Sequence, residues 1–358
     1  MKLYDVSKHY TAPDATDFFA ADANKASLLR FICEELSEGP LQDKDIQLYL
    51  GGAFTDETKT LLVNDQLVTS VPELQSTHEE ADTRLILHMI HAARNGSERV
   101  VLHVNDTDVI VLCIYYASTD YLDNLQELWV RTEYSTYLPI HTIAAALVPG
   151  LCHRLPFIHS LSGRDTTSYP FFTGKKSWFE AIKVLDTPAI ELFGENDNEM
   201  TPEVLNEATK LCIQVYSKKD DDFDDLPTLR AHNFLTHKSA SLLKLLPPTE
   251  DAFTQHVKRS ALATIIDKRS HIATPTIPPY THFGWTGGAE IGTPLVPKLS
   301  TSDPWPQQMS KALSCNCKKG CARNCSCAKR GVSCYVGCRC TGAQNKCSRH
   351  QYIEEESE

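Results

Sequence analysis

Nowhere in the 358 residues is there an apolar run approaching the roughly 18–20 residues that a membrane-spanning helix needs. Residues 1–20 also lack the basic-then-apolar pattern of an export signal. These two gaps argue against a membrane partner and predict a soluble, intracellular chain. A third gap is local. Between Lys311 and His350 there is no Asp or Glu, although the whole chain carries 46 acidic residues against 35 Lys and Arg and a formal net charge of −11. The same stretch is short of apolar bulk, with Val332, Tyr335 and a few small side chains, so it cannot close a hydrophobic core. The remainder can hold a core and two or three domains, since 42% of the chain is hydrophobic.

What the acid-free stretch has instead is cysteine. Nine of the thirteen cysteines lie in it: Cys315, Cys317, Cys321, Cys325, Cys327, Cys334, Cys338, Cys340 and Cys347. Their spacing is C-x-C-x3-C-x3-C-x-C-x6-C-x3-C-x-C-x6-C. An odd count and a reducing compartment argue against disulfides. Zinc takes four thiolates in a closed structural site, so three zincs need twelve ligand places, which nine cysteines fill if three of them each bridge two metals. Binding worth roughly 10–16 kcal/mol per structural site would hold a coreless module together and leave it unfolded without metal. The nine cations Lys311, Lys318, Lys319, Arg323, Lys329, Arg330, Arg339, Lys346 and Arg349 then leave a surplus of about +6, which calls for a polyanion. DNA is the expected partner, RNA the alternative, and the nucleus the expected place.

That cysteine frame resembles the tesmin-type CXC domain, also called CRC, in a single copy. The resemblance implies DNA binding, which in that family usually uses paired copies with a tyrosine near the first cysteines entering the minor groove. Here Asn324 precedes Cys325 and Tyr335 follows Cys334. The resemblance therefore implies attraction to the backbone through Lys318, Lys319, Arg323, Lys329, Arg330 and Arg339 more than base readout.

Upstream, STHEEADTRLILHMIHAARNG from Ser76 reads as a helix, with Thr77 as N-cap, Glu80 completing a capping box and Gly96 as the stop. Ala81, Leu85, His88/Met89 and Ala92 are its expected apolar face. VVLHV (100–104) reads as a strand running into Asn105-Asp106-Thr107-Asp108; alternation along extended chain places both carboxylates on one side. The next run, VIVLCIYYA, reads as a helix with Asp106 as its cap. LWVRT (128–132) is a strand, and 140–147 and 155–161 are helices. Gly174-Lys175-Lys176 opens another helix, where free amides and two cations can meet a phosphate or simply face water.

Glu80/Asp82, Asp106/Asp108 and Asp165 occur in an order that resembles the PIN-like nucleases of the flap-endonuclease (XPG-type) branch. Glu80-Ala81-Asp82 matches that branch's acidic pair, Asp106-Thr107-Asp108 its D-x-D and Gly163-Arg164-Asp165 its Gly-x-Asp. The set T-H-E-E-A-D-T-R, D-T-D-V, L-P-F-I-H-S-L-S-G-R-D-T-T and G-K-K-S-W also looks like a group of transposon-associated animal proteins with that core. The resemblance covers roughly residues 20–190. It implies that Glu80, Asp82, Asp106, Asp108 and Asp165 bind Mg or Mn, and that the chain after Asp165, with Lys175 and Lys176, grips a DNA backbone. Each acid has a structural reading too, as a cap or a dipole partner at a helix start. Two N-terminal aspartates of the pattern have no counterpart in residues 1–44. Asp45 opens the DIQLYLGG strand and Asp56 follows it, so the domain is expected to lack its first strands, as would a fragment, a truncated product or a domain completed by another chain.

The expected fold class is α/β: a PIN-like parallel sheet with flanking helices, a helical extension and a small zinc-cluster module. Residues 1–195 form the partial PIN-like domain and 196–270 a helical extension with an amphipathic helix over 251–269. Residues 271–310 are a Pro-rich linker pinned by its aromatics, 311–350 the CXC module and 351–358 an acidic tail. His153, His159 and Cys152 suggest no zinc site. Two functions stay open: a metal-dependent, nuclease-like protein brought to DNA by its zinc module, or a non-catalytic DNA-binding, chromatin-associated or transcription-regulatory scaffold. Oligomeric state is not readable.

Overall fold

The computed structural model describes residues 6, 14–42, 45–133, 135–148, 150–194, 200–218, 222–236, 245–287 and 293–302; in the C-terminal stretch it describes 315–317, 321, 324–329, 334, 338–340 and 347. Two compact units emerge: Met1–Cys152 with Ile266–Ile277, and His153–Ile265 with Pro278–Glu358. The class is mixed α/β. No described helix is long and apolar enough to cross a membrane.

In the first unit, α1 (Ala15–Phe19) and α2 (Asp22–Leu36) lead into an antiparallel sheet of β1 (Leu48–Gly51), β2 (Thr60–Val63) and β3 (Val68–Ser70). On α2, Leu29, Ile32 and Leu36 are exposed and Cys33 is buried. Then come α3 (Ala81–Arg94), β4 (Arg99–His103), α4 (Thr107–Tyr116), β5 (Glu127–Arg131), β6 (Tyr137–Pro139) and α5 (Ile140–Ala146). β4 pairs parallel with β5, and β5 antiparallel with β6. Among the described residues parallel pairing is confined to β4 and β5.

Helix α3 begins later than its capping signal suggests. Its N-cap is Glu80, without a side-chain cap bond, while the Thr77 amide donates to the Ala273 carbonyl at 3.0 Å. The buried face is correspondingly rotated: Thr83, Ile86, Leu87, Met89, Ile90 and Ala93 point inward, whereas Leu85 is 36% exposed. Gly96 ends the helix at φ +87°, a conformation costly for any residue with a Cβ. By contrast, α4 starts as read, with the Asp106 carboxylate accepting from the Asp108 amide at 2.9 Å.

The second unit is mostly helical: α6 (Leu151–Leu161, whose first two residues belong to the first unit), α7 (Lys175–Val184), α8 (Pro188–Leu192), α9 (Pro202–Tyr216), α10 (Leu226–Thr236) and α11 (Glu250–Lys268, whose last three residues belong to the first unit). Glu207 of α9 accepts from the Ala189 and Ile190 amides at 3.0 and 2.9 Å and so caps α8. The expectation for α11 is corrected: it has no broad solvated face, and Gln255, His256, Arg259, Ser260, Thr264, Asp267 and Lys268 are all buried. A hairpin of β7 (Trp285–Gly287) and β8 (Leu295–Pro297) lies within the proline-rich stretch, and the Arg259 guanidinium stands over the Trp285 ring at 5.9 Å. A single turn, α12 (Ser326–Lys329), lies among the clustered cysteines.

The two faces of α3 should respond differently to truncation. Ile90→Ala should cost about 2–5 kcal/mol in chemical denaturation, and Leu85→Ala less than about 1 kcal/mol. A larger cost for Leu85→Ala than for Ile90→Ala would mean that the helix buries the face suggested by its sequence.

Candidate metal centres

Asp82 sits in the first turn of α3, Asp106 caps α4 and Asp108 follows in the first turn of α4. One oxygen from each carboxylate lies within 4.8 Å of the others, in a partly exposed group. The capping turn, not strand alternation, brings Asp106 and Asp108 together, because the chain turns into helix at Thr107. Two carboxylates about 4 Å apart repel by about 4 kcal/mol at an effective dielectric of about 20, less where water screens them. Oxygen donors crowded this way suit a hard divalent cation such as magnesium or manganese. Glu80 is exposed and serves as the N-cap of α3, outside this group. Asp165 belongs to the second unit, where its exposed carboxylate accepts from the Tyr169 hydroxyl at 3.3 Å.

Two residues near the acidic group have structural duties that the sequence reading missed. Arg84 donates Nε to the His78 carbonyl at 2.8 Å and Nη1 to the Glu57 carbonyl at 2.7 Å, fixing the extended chain ahead of α3. His78 lies against the Ile272 carbonyl, Nε2 to O 2.7 Å, and burial lowers its pKa below the ordinary histidine value. Nothing in the spacing of T-H-E-E-A-D-T-R marks these as clamps, because their partners lie up to 194 residues away.

Lys175 and Lys176 open α7 after the Gly174 N-cap, and both are exposed. The Lys175 ammonium is 3.2 Å from the His159 ring nitrogens and is engaged there.

The cysteines form the densest donor set among the described residues. All thirteen in the chain are free thiols. Cys315, Cys321 and Cys334 make a triangle with sulfur separations of 3.6, 4.0 and 3.4 Å. Three sets of four converge: Cys315/Cys317/Cys321/Cys325, Cys315/Cys327/Cys334/Cys338 and Cys315/Cys321/Cys334/Cys340. Cys347 is buried and interacts with Cys321, Cys334 and Cys340. Two thiolates on one tetrahedral zinc at about 2.3 Å stand about 3.8 Å apart, so the observed separations fit shared zinc and exceed a disulfide bond of about 2.05 Å.

Ionisation tells the same story. Burial and neighbouring sulfurs push Cys321 and Cys334 well above the ordinary thiol value, and burial with the Cys315 neighbour pushes Cys340 up to about 12. For Cys325 burial also acts upward, but hydrogen bonds from the Ala328 amide, the Cys321 thiol and the Cys327 amide outweigh it and bring the thiol to about 6. Nine sulfurs packed like this become thiolates together only when cations replace the protons. The cluster also has an apolar base that its own sequence does not supply, since Phe234 of α10 and Leu246 pack against it. Lys329 and Arg339 lie among the cysteines, and the Arg339 amide donates to the Cys315 carbonyl at 3.0 Å. Lys318, Lys319, Arg323 and Arg330 lie outside the described residues.

Compared with protein-family models, curated proteins and solved structures, the chain matches none of them. What the two centres bind must therefore be argued from their donors.

Manganese(II) titrated into the full zinc-loaded chain and followed by electron paramagnetic resonance should bind at the carboxylate group. Asp108→Asn, which leaves the Asp106 cap in place, should weaken it about ten-fold. An unchanged titration would remove this group as a cation site.

Proposed function

We propose that this chain is a nucleic-acid-binding protein whose basic C-terminal module is built on three zinc ions, with a divalent-cation site in its first unit. The observation that carries this reading is the sulfur triangle of Cys315, Cys321 and Cys334. These three are the bridging ligands, each shared by two zincs. Cys317 with Cys325 and Cys327 with Cys338 complete two of the tetrahedra; Cys340, with Cys347 assigned beside it from its interactions with Cys321, Cys334 and Cys340, completes the third, so that nine thiolates fill twelve places. This assignment fits the CXC resemblance and supplies its missing step, the identity of the shared sulfurs.

The charge balance supports an anionic partner. Three zincs and nine thiolates carry about −3, which the nine lysines and arginines between Lys311 and Arg349 overturn. A compact surplus of positive charge on an otherwise acidic chain directs the module, and not the whole molecule, to a phosphate backbone. DNA is the preferred partner, RNA the alternative, and a nuclear location goes with the former.

The acidic group supports a nuclease-like reading of the first unit. Bound magnesium or manganese would activate water and neutralise charge on a phosphodiester. The protein's share is to hold Asp82, Asp106 and Asp108 on the starts of two helices, with Glu80 just ahead of α3 as the further ligand of this unit that the PIN-like resemblance implies. A non-catalytic scaffold is the second reading, favoured because three carboxylates converge where the motif order offers five.

Elemental analysis of the reduced, purified chain should find about three zincs per chain. Cys334→Ser should release more zinc than Cys317→Ser, since it removes a ligand from two ions; equal loss, or a zinc-free folded chain, would contradict the shared-sulfur arrangement. Affinity for duplex DNA should fall steeply as salt rises, by a log–log slope of roughly −0.9 for each phosphate neutralised, and Lys329→Glu with Arg339→Glu should flatten that slope. Magnesium- or manganese-dependent cutting of branched DNA that disappears in Asp106→Asn/Asp108→Asn selects the nuclease, since asparagine preserves the α4 cap; binding without cutting selects the scaffold.

A further inference from the structure

Within the second unit, a cavity of about 270 Å³ opens between the first half of α11, the turn 168–171 and the segment 298–300. Its walls are apolar and largely aromatic, with Phe171, Tyr216, Leu246, Phe253 and Leu299 among them, and Arg259 reaches into it from α11. Arg259 is 8% exposed. Its guanidinium donates to the Gly284 carbonyl at 3.3 Å, the Lys298 carbonyl at 3.5 Å and the Ser168 hydroxyl oxygen at 3.4 Å. All three are long and none carries a charge; the Trp285 ring lies 5.9 Å from the guanidinium, and among the described residues no carboxylate pairs with it. The contrast within the same unit is Arg154, whose Nε has the Glu191 carboxylate 3.4 Å away.

A buried cation without an anion is costly, and anions take up such positions when they are offered. Asp251, in the first turn of α11, is committed elsewhere: it accepts from the Ser300 hydroxyl at 2.9 Å, the Thr301 amide at 3.1 Å and the Ser302 hydroxyl at 3.1 Å. The polar atoms around Arg259 are oriented to leave it donating. The Leu161 carbonyl can only accept, so His256 carries its proton on Nε2, 2.8 Å away. Its Nδ1 then accepts from the Ser168 hydroxyl at 2.7 Å, and Ser168 presents a lone pair to the guanidinium. Burial lowers His256 to about 4, so the ring stays neutral and is too weak a base to make Ser168 a nucleophile. Gly284 keeps this corner tight: at φ +77° a Cβ there would stand 2.8 Å from the Gln255 carbonyl and 3.4 Å from the Arg259 side chain.

We propose that this cavity is a binding site for a small organic monocarboxylate with an aromatic or branched apolar body, the carboxylate on Arg259 and the body against Phe171, Phe253 and Leu246. Arginine presents a planar fork that matches a carboxylate. The volume lies just under the roughly 300–1,000 Å³ of pockets for drug-sized ligands, which sets the ligand as small. Lys298, exposed at the rim, adds a second positive charge at the entrance. Leu246 is shared with the floor of the sulfur cluster, but the proposal rests on Arg259 and the cavity walls and not on what the cysteines bind.

The test is isothermal titration calorimetry on the full zinc-loaded chain, with 4-phenylbutyrate as the probe and 4-phenylbutyramide and inorganic phosphate as comparisons. Saturable one-site binding of the acid is expected, with the amide weaker by about ten-fold or more, since losing one charge-assisted contact costs at least about 1.4 kcal/mol. Arg259→Gln should weaken the acid to the level of the amide, and Ala252→Phe, which fills the cavity from α11, should abolish both. Acid and amide binding alike, phosphate competing as well as the probe, or no binding to the unaltered chain would each overturn the proposal. The acid–amide comparison needs no variant and decides the matter even where Arg259→Gln does not fold.

Discussion

Sulfurs separated by 3.4 to 4.0 Å around Cys315 cannot all give up their protons unless something positive comes between them. The C-terminal stretch has almost no apolar bulk, so that electrostatic demand organises it. On the zinc reading proposed above, shape and charge there would have one origin, because ions that draw the cysteines together would also offset most of their negative charge and leave the lysines and arginines dominant. Phe234 and Leu246 add a floor beneath the cluster, which ties its order to the helical unit that supplies them.

The first unit obeys a different constraint. Its acidic group exists because two helices begin close together and helix starts favour carboxylates. Asp106 would be placed where it is by capping alone, and Asp82 by the positive end of α3. Whether cations use the arrangement is a question of chemistry added to a geometry that folding already explains.

Legibility in the sequence followed the range of the interactions. The Asp106 cap, the Gly96 stop and the nine-cysteine frame depend on residues a few positions apart, and the structure has them. The start of α3 was misplaced because the Thr77 amide is taken by the Ala273 carbonyl, a partner no local signal announces. Helix α11 departs from the expected amphipathic pattern for the same reason: carbonyls and rings distant in the chain surround His256, Arg259 and Lys268. The acidic group was legible as residue types in order, and only in part as a convergence.

Asp106 engages the Asp108 amide through Oδ1 alone. That bond restrains the side chain and leaves Oδ2 outside it, so a cation taken up there on the proposed reading would meet an acceptor whose rotation is already limited. Little torsional freedom remains to be surrendered on capture, and the start of α4 need not unwind to release the oxygen. Preorganisation of this kind comes from the folding signal itself.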